Sequence, residues 1–361
     1  MSKKITNQSK KLSFTVKLIE WGRLNGRKNL PWSPPFGGVY DPYKVWVSEI
    51  MLQQTQVKTV IPYYKKWIKK YPTLKSFKES SFDDVIKLWE GLGYYSRCKN
   101  MFNAAKLIKS SFPNNYEDLV KLPGIGDYTA KTILAIAFKK NSVGVDTNLE
   151  RIGYRILGLK TKTKRNQKRV VRFLEENQCP KNPGDYNEAL MDLGSSLCKA
   201  NITHCNECPL KSICKAYAYS SPTSYPTPKS SKKIPIYDIA ISVIEYENKV
   251  LITKRQNTKF LSGLWEFPGG TIEKHESAVQ AIIREVKEET NLNISNPLFL
   301  GNVSHKYSHF GVNISLFISF PKSIKSLNLP QEHQWIRIKD ILNYPLPKAN
   351  HKMLDILKKL D

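Results

Sequence analysis

Two carboxylates attract attention because their neighbours are apolar and because residues 1–203 contain no histidine. Glu49 lies in YKVWVSEIMLQQ, where burial would keep a carboxyl group protonated near neutral pH. Asp146 lies in NSVGVDTNLERI, just before a predicted helix whose free N–H groups favour a charged carboxylate. One protonated and one charged carboxyl group form the pair that breaks a glycosidic bond. The alternatives are that Asp146 only caps a helix and that Glu49 only pairs with a lysine.

The stretch LPGIGDYTA, residues 122–130, places two glycines between two predicted helices. Gly124 and Gly126 can adopt a positive φ or let another chain approach closely, because glycine has no Cβ. The N–H groups of the loop and of the following helix then converge on one spot, which suits a phosphate. A plain turn between two helices is the alternative interpretation.

Four of the six cysteines lie close together, with the spacing C-x6-C-x2-C-x5-C. They are Cys198, Cys205, Cys208 and Cys214. Four thiolates at this spacing predict a zinc site or an iron–sulfur cluster, and thiol chemistry does not separate the two. Disulfides are disfavoured because the chain is expected to stay in the cytoplasm.

Basic residues outnumber acidic ones by 57 to 31, for a net charge of +26. Most of this excess, +20, lies in residues 1–225, so that part is the expected nucleic-acid surface. No run of ~18 apolar residues exists, and the basic N-terminal stretch MSKKITNQSKKLS has no apolar core. We therefore expect a cytoplasmic, nucleoid-associated protein without a membrane span or a secretory signal.

The chain divides at a linker rich in proline, serine and lysine, AYSSPTSYPTPKSSKKIP. Helical spacing of apolar residues precedes it, in YKVWVSEIMLQQTQV, FDDVIKLWEGL and RNQKRVVRFLEEN. Four predicted strands and a helix follow it, in YDIAISVIEY, KVLITKR, PLFLGNVSHKY, VNISLFISF and SAVQAIIREVKEE. The predicted fold is multidomain, with an all-α domain over 11–217, a linker over 218–235 and an α+β domain over 236–361.

Taken together, these features resemble the helix-hairpin-helix DNA glycosylases that carry an iron–sulfur cluster, and within them the MutY-type adenine DNA glycosylases. The resemblance covers nearly all of residues 20–215. It rests on LPW (30–32), DPYKVWVSEIMLQQTQV (41–57), LWEGLGYYSR (88–97), LPGIGDYTA, VDTNLERI (145–152), YNEALMDLGSSLC (186–198) and the cysteines. It implies a monomeric base-excision-repair enzyme that flips adenine out of A:8-oxoguanine or A:G mispairs in double-stranded DNA and hydrolyses its glycosidic bond.

The resemblance also implies catalytic roles. Glu49 would protonate adenine. Asp146, positioned by Asn148, would stabilise the sugar cation or bond to it transiently. Related bifunctional enzymes place a lysine where this chain has Tyr128, and that amine forms a Schiff base with the sugar. A phenol lacks this chemistry, so we expect a monofunctional enzyme that leaves an abasic site.

Contacts with DNA and with a cofactor follow from the same resemblance. Gln54 and Tyr94 would enter the DNA helix beside the lesion, and Gly124 and Gly126 would bind a backbone phosphate. The four cysteines would hold a [4Fe–4S] cluster that supports a DNA-binding loop over 198–214. The segment SPPFGGVY, residues 33–40, is longer than the usual link in this family and receives no role.

A second motif, GGTIEKHESAVQAIIREVKEETNL, resembles the Nudix box, except that Asn291 stands where glycine is expected. Asparagine tolerates the left-handed conformation that such a turn needs. The resemblance implies a Nudix-like domain that recognises 8-oxoguanine, with Ser308 of Tyr-Ser-His (307–309) as the residue that hydrogen bonds to the oxidised base.

Three glutamates in this motif, Glu285, Glu288 and Glu289, share one helical face. Such a face suits Mg²⁺ and a diphosphate, as in hydrolysis of 8-oxo-dGTP, and a solvated helix face is the alternative.

Three other functions stay open at this stage. They are a bifunctional endonuclease-III-like lyase, a nucleotide-pool hydrolase whose helical half only binds DNA, and a non-catalytic damage sensor. It also stays open whether a sliding clamp or a mismatch-repair protein binds the linker.

Overall fold

The computed structural model describes residues 2–34, 39–228, 234–255, 261, 263–307 and 309–358. They form two compact units, Met1–Glu79 with Asn100–Ser230, and Ser80–Lys99 with Ser231–Asp361. The helices are α1 (Ser2–Asn25), α2 (Pro42–Leu52), α3 (Val57–Lys70), α4 (Leu74–Lys78), α5 (Phe82–Trp89), α6 (Tyr95–Leu107), α7 (Tyr116–Leu119), α8 (Asp127–Ile136), α9 (Thr147–Leu157), α10 (Lys164–Glu176), α11 (Pro183–Ser196), α12 (Lys215–Ala218), α13 (Ala278–Thr290) and α14 (Lys348–Leu357). None of the helices in the described ranges is long and apolar enough to cross a bilayer.

The first unit is helical, as predicted, with one difference near Glu49. The sequence predicts one helix over 43–57, whereas α2 ends at Leu52 and α3 begins at Val57. Gln54 has a φ of 56°, a left-handed conformation that interrupts the helix. Asp41 caps α2 by accepting hydrogen bonds from the N–H groups of Tyr43 and Lys44, which sets where this helix begins.

Aromatic side chains form the core that holds α2 in place. Trp46 and Trp67 are fully buried and pack against Phe77, with ring centroids 6.3 and 4.9 Å from it. The Trp67 indole donates to the Tyr43 hydroxyl, 3.1 Å away, and so satisfies the polar edge of a buried ring. This packing leaves the helix that carries Glu49 little freedom to rotate.

The second unit contains a mixed sheet with α13 and α14. Its strands are β1 (Ile236–Tyr246), β2 (Lys249–Lys254), β3 (Trp265–Glu266), β4 (Gly269–Thr271), β5 (Leu298–Lys306), β6 (Gly311–Ser319) and β7 (His333–Ile336). The order is β3-β2-β1-β6-β5, with β4 paired to β1 and β7 to β2. Strands β1 and β6 run parallel, whereas the other pairs are antiparallel. The four predicted strands and the predicted helix are confirmed, and the short β3, β4 and β7 are additional.

The segment Ser80–Lys99 belongs to the second unit, although the sequence placed it within the range 11–217. Lys87 of α5 donates to the Leu342 carbonyl oxygen at 2.6 Å, and Glu90 accepts from the Leu346 N–H at 3.0 Å. Glu90 also contacts His351 Nε2 at 2.6 Å. These contacts join residues that are more than 250 positions apart in the sequence. Local sequence patterns therefore could not predict them. The ranges 11–217 and 236–361 stay a prediction.

Candidate active site

Glu49 lies on α2 with only 6% of its surface exposed. The Tyr128 hydroxyl, in the first turn of α8, donates to Glu49 Oε2 at 3.0 Å. Burial raises the pKa of Glu49 to about 7. The hydrogen bond from Tyr128 lowers this pKa in part, and the charges of Asp146 and Glu188 raise it further. The carboxyl group can therefore hold a proton at neutral pH and give it up, as a general acid requires.

Asp146 is the N-cap of α9 and accepts three hydrogen bonds. Its Oδ1 accepts from the N–H groups of Asn148 and Leu149, both at 2.8 Å. Its Oδ2 accepts from the Asn148 side chain at 2.9 Å. N–H donors at a helix N-terminus stabilise a charged carboxylate. Asp146 is therefore the N-cap of α9, and it also lies close enough to Glu49 to raise the pKa of that group.

Asn148 is held from its other side by Arg151. Arg151 Nη2 donates to Asn148 Oδ1 at 2.9 Å and to the Gly194 carbonyl oxygen at 2.8 Å. Arg151 Nε donates to the Cys198 carbonyl oxygen at 2.9 Å. A hydrogen-bonded chain thus runs from the Asp146 carboxylate to the cysteine loop.

Glu188 on α11 is a second carboxyl group whose charge acts on Glu49, and the sequence interpretation gave it no role. Burial raises the pKa of Glu188 to about 7, and a hydrogen bond from Tyr40 lowers it in part. The Tyr40 hydroxyl lies 2.9 Å from both carboxylate oxygens. The signal that singled out Glu49, a carboxylate among apolar residues of a helix, was also present at Glu188. Tyr40 ends the 33–40 segment, of which residues 35–38 lie outside the described residues.

The two hairpin glycines differ in whether the surrounding structure requires glycine at their position. Gly124 has a φ of +82°, and a Cβ there would lie 2.9 Å from Asn100 Cβ. Gly126 has a φ of −92°, and a Cβ there would meet no atom within 4 Å. The fold itself therefore requires glycine at position 124 but not at position 126.

Gln54 and Tyr94 both have left-handed backbones, with φ values of 56° and 49°. Gln54, in the first unit, is exposed. Tyr94, in the second, stacks under the Arg97 guanidinium at 5.0 Å and makes an edge contact with the His309 ring at 5.7 Å. Such backbones cost about 1–3 kcal/mol each and often mark functional positions. Ser308 lies outside the described residues.

The four cysteines line one small cavity together with Ile152, Leu193, Leu210 and Arg155. Arg155 Nη1 lies 3.2 Å from Cys198 Sγ, and burial raises the pKa of the Cys208 thiol to about 12. Across the described ranges, no three histidine, cysteine, aspartate or glutamate side chains are arranged around a single metal ion. A four-iron cluster binds each thiolate to a different iron, so its cysteines surround a volume and do not meet at one point.

The Mg²⁺ site predicted at Glu285, Glu288 and Glu289 is not supported. Arg284 Nη1 binds Glu285 at 2.9 Å and Glu288 at 3.2 Å. Glu289 instead accepts from the Gly269 N–H at 3.0 Å. Each carboxylate already has a partner within the protein. Asn291 does take the left-handed conformation predicted for it, with a φ of 57°.

Comparison with known proteins identifies the family. A model described as "HhH-GPD superfamily base excision DNA repair protein" matches residues 47–176, and a NUDIX domain model matches residues 240–355. An adenine DNA glycosylase of Buchnera aphidicola subsp. Schizaphis graminum is 36% identical over 360 residues, covering 96% of this chain and 99% of that protein. This chain belongs to the adenine DNA glycosylases.

Two further similarities agree with this assignment. The human adenine DNA glycosylase is 31% identical over 363 residues, covering 84% of this chain and 66% of that protein. The solved structure of a thermostable thymine-DNA glycosylase is similar with a TM-score of 0.53 and 23% identity, covering 59% of this chain and 99% of that one. At this identity the second comparison supports the fold alone. The chain is therefore a base-excision-repair enzyme that removes adenine from DNA, which confirms the predicted activity and fold class.

Proposed function

We propose that this adenine DNA glycosylase removes the adenine that is mispaired with 8-oxoguanine or guanine, and that Glu49 and Asp146 break the bond by hydrolysis. One observation carries the catalytic assignment. Glu49 is buried with a pKa raised to about 7, and its neighbour Asp146 is held by three N–H donors. Two carboxyl groups with opposite protonation are what an oxocarbenium-like transition state needs.

Each residue has one step in this mechanism. The Glu49 carboxyl group gives its proton to a ring nitrogen of adenine while the bond between C1′ and N9 breaks. The Asp146 carboxylate stabilises the positive charge on the sugar, and Asn148 and Arg151 keep it oriented. Water then adds its oxygen to C1′ and returns a proton to Glu49, which leaves adenine and an abasic site.

Recognition of the mispair is assigned to four elements. Gln54 and Tyr94, with their left-handed backbones, would enter the DNA helix beside the flipped adenine. The hairpin around Gly124 and Gly126 would bind a phosphate through its N–H groups. Ser308 would contact the oxidised base. We expect the enzyme to act on double-stranded DNA as a monomer.

The cysteines at 198, 205, 208 and 214 would hold a [4Fe–4S] cluster. The cavity they line and the Arg155 guanidinium beside Cys198 support this, because a nearby cation favours a thiolate ligand. When bound, the cluster would keep the loop over 198–214 in place for DNA contact. A brown protein that absorbs visible light, and that loses its colour in Cys208→Ser, would support iron. A colourless zinc protein would overturn it.

Hydrolysis without strand cleavage is expected because Tyr128 occupies the position of the lyase lysine. The two nearby lysines have acidic partners. Lys131 lies 3.2 Å from Asp127, and Lys121 lies 2.9 Å from Asp118. A borohydride-trapped enzyme–DNA adduct in high yield would contradict the monofunctional assignment.

The deciding experiment compares adenine release from A:8-oxoguanine, A:G and A:T duplexes under single-turnover conditions. We expect fast release from the first, slower release from the second and none above background from the third. Equal rates on all three duplexes would refute the specificity and would leave the glycosylase activity intact. Hydrolysis of 8-oxo-dGTP by the full-length protein is not expected, since Arg284 already binds two of the three glutamates.

A further inference from the structure

Helix α10 of the first unit presents a basic surface that adenine removal does not use. No acidic residue occurs between Glu150 and Glu175, a stretch that contains nine lysines and arginines. Val170 and Leu174 bury one side of α10, and four exposed basic residues at helical spacing occupy the opposite side. These four residues, which we call the α10 face, are Lys164, Arg165, Lys168 and Arg172.

The α10 face is electrostatically unfavourable for a helix on its own. Lys168 lies four residues from both Lys164 and Arg172, and like charges at this spacing repel each other and destabilise a helix. Lys164 and Arg165 also lie in the first turn, which contains no acidic residue. Cations there oppose the partial positive charge of the free N–H groups. A bound polyanion would offset both costs.

Most of the charge on the α10 face is uncompensated. Three of its four cations form no ion pair with the residues that the structure describes, and the exception is Arg172, whose Nε lies 2.7 Å from Glu176. That pair is exposed to solvent, so it contributes little. Arg169 lies beside the face and is turned toward Asn166 Oδ1, 3.4 Å from its Nη1. The three remaining cations are available to an external anion.

The α10 face is separate from the candidate active site. Asp146 caps the first turn of α9, whereas α10 follows the far end of α9, which closes at Gly158. An 11-residue helix is about 16 Å long. Acidic groups also lie between the α10 face and the glycine hairpin. Glu175 lies 3.6 Å from Lys131, which contacts Asp127 in the first turn of α8 at 3.2 Å.

The chemistry of the α10 face favours duplex DNA as its partner. Its four head groups extend about 12 Å along the helix, and a duplex carries one phosphate charge per ~1.7 Å of its axis. The single aromatic residue of α10, Phe173, packs against Phe14 with ring centroids 5.2 Å apart. The face therefore offers contacts to phosphates but no ring on which the bases of a single strand could stack.

We propose that the α10 face binds the phosphate backbone of a second duplex segment while the active site holds the first. Lys164, Arg165 and Lys168 would each contact a phosphate. The enzyme would then pass from one segment to another directly, because the second is already bound when contact with the first breaks. This proposal adds a DNA site and requires none of the roles proposed for Glu49 and Asp146.

Dissociation kinetics test the proposal. In a stopped-flow instrument, the full-length protein bound to a short, labelled, undamaged duplex is mixed with increasing concentrations of the same duplex without label. A protein with one DNA site dissociates at a rate that does not depend on the competitor, whereas direct transfer makes the rate rise. We expect a rise of about fivefold between ~0.1 and ~10 µM competitor at low salt, and its loss at high salt, because the second contact is to phosphates.

The combined variant Lys164→Gln, Arg165→Gln and Lys168→Gln should show no such rise. Without competitor, it should dissociate within about twofold of the wild-type rate, because the α10 face is distant from the first DNA site. Its melting temperature should be no lower than that of the wild type, since like charges are removed. A matched control removes three exposed lysines of the second unit and should keep the wild-type rise. Its changes are Lys274→Gln, Lys322→Gln and Lys325→Gln.

Three outcomes would overturn the proposal. A wild-type rate that is independent of competitor would show that no second duplex binds, and would leave an acidic protein as the partner of the α10 face. A rise that persists in the α10 variant would place the second duplex elsewhere. Faster dissociation of that variant without competitor, beyond the change in the control, would make the face part of the first DNA site. None of these outcomes depends on adenine release, so the proposed mispair specificity is tested separately.

Discussion

At the scale of single residues, environment distinguishes the two carboxyl groups that we propose for catalysis. Glu49 and Asp146 have similar chemistry in water. Glu49 is buried on a helix and accepts a hydrogen bond from the Tyr128 phenol, whereas Asp146 faces three N–H groups. In the proposed mechanism this difference in solvation and hydrogen bonding separates the roles of the two groups. Glu188 resembles Glu49 in that burial raises its pKa to about 7 and a tyrosine hydroxyl donates to it.

The pKa of Glu49 predicts how adenine release depends on pH. The protonated form is the active acid, so the single-turnover rate should be flat below about pH 7 and fall above it. Glu49→Gln should lower the rate by about 10²–10⁴-fold, the range for loss of a general acid. Quenched-flow assays over pH 5.5–9 on an A:8-oxoguanine duplex would measure both. A rate that does not fall at alkaline pH would contradict the assignment.

Tyr128→Phe provides a sharper test of the proposed role of Glu49 as the acid. Its hydroxyl donates to Glu49 and lowers the pKa of that group, so its loss should move the alkaline limb upward by roughly half to one pH unit. Tyr116→Phe is the matched control, because its hydroxyl binds Asp127. An unshifted profile in Tyr128→Phe would show that this hydrogen bond does not tune the acid.

At the scale of elements, helix termini position most of the site. Helix α9 is capped by Asp146, and its residues Asn148, Arg151 and Arg155 extend the site toward the cysteine loop. Helix α8 begins at the glycine hairpin and presents Tyr128 in its first turn. The N–H groups at the start of α9 therefore bind the Asp146 carboxylate. Those at the start of α8 would bind the proposed DNA phosphate.

We predict that alanine at one hairpin glycine lowers stability, whereas alanine at the other weakens DNA binding. Gly124→Ala should lower stability by about 1–3 kcal/mol, since it combines a positive φ with contact at Asn100. Gly126→Ala should melt like the wild type but bind DNA more weakly, because only an approaching phosphate would meet the new Cβ. Thermal melts and fluorescence anisotropy with a duplex would distinguish the two. Wild-type affinity in Gly126→Ala would remove the hairpin from the DNA interface.

We predict that loss of the hydrogen bonds made by Arg151 slows adenine release but leaves DNA binding nearly unchanged. Arg151→Met keeps most of the packing but releases Asn148 and the Cys198 carbonyl group. We expect adenine release to slow about tenfold, the equivalent of one lost charged hydrogen bond, while duplex affinity changes less than threefold. Arg169→Met, on the exposed face of α10, is the control. An equal loss of affinity in Arg151→Met would indicate a DNA contact instead.

At the scale of the whole molecule, the second unit is not a continuous stretch of chain. It takes in Ser80–Lys99, where Lys87 of α5 and Glu90, just after this helix, contact residues between 342 and 351. Gly263 also lies against this helix, where a Cβ would come within 3.0 Å of Ile86. Residues far apart in sequence therefore contribute to one folded unit.

This arrangement predicts that the C-terminal part is unstable alone. A fragment of residues 231–361 should melt well below the corresponding transition of the full chain, because it lacks α5 and exposes the surface that α5 covers. Differential scanning calorimetry of both proteins would measure the difference. As a control, Lys87→Ala in the full chain should lower the melting temperature much less than loss of α5 does, since it removes one partly exposed side chain with its ion pair to Glu90 and its hydrogen bond to Leu342. An unchanged transition in the fragment would show that α5 does not stabilise this unit.

The sequence by itself determined the fold class and the adenine-removing activity of this protein. Apolar periodicity located most of the long helices and strands, and local sequence nominated Glu49, Asp146 and the cysteines as site candidates, because these signals lie within a few residues of one another. Only the tertiary structure decided the rest. It brought Tyr128 to Glu49, Tyr40 to Glu188 and α5 to the second unit, and it gave two of the Nudix glutamates to Arg284. Such contacts depend on packing and burial between segments that are far apart in the sequence. A local pattern of residues carries no information about them.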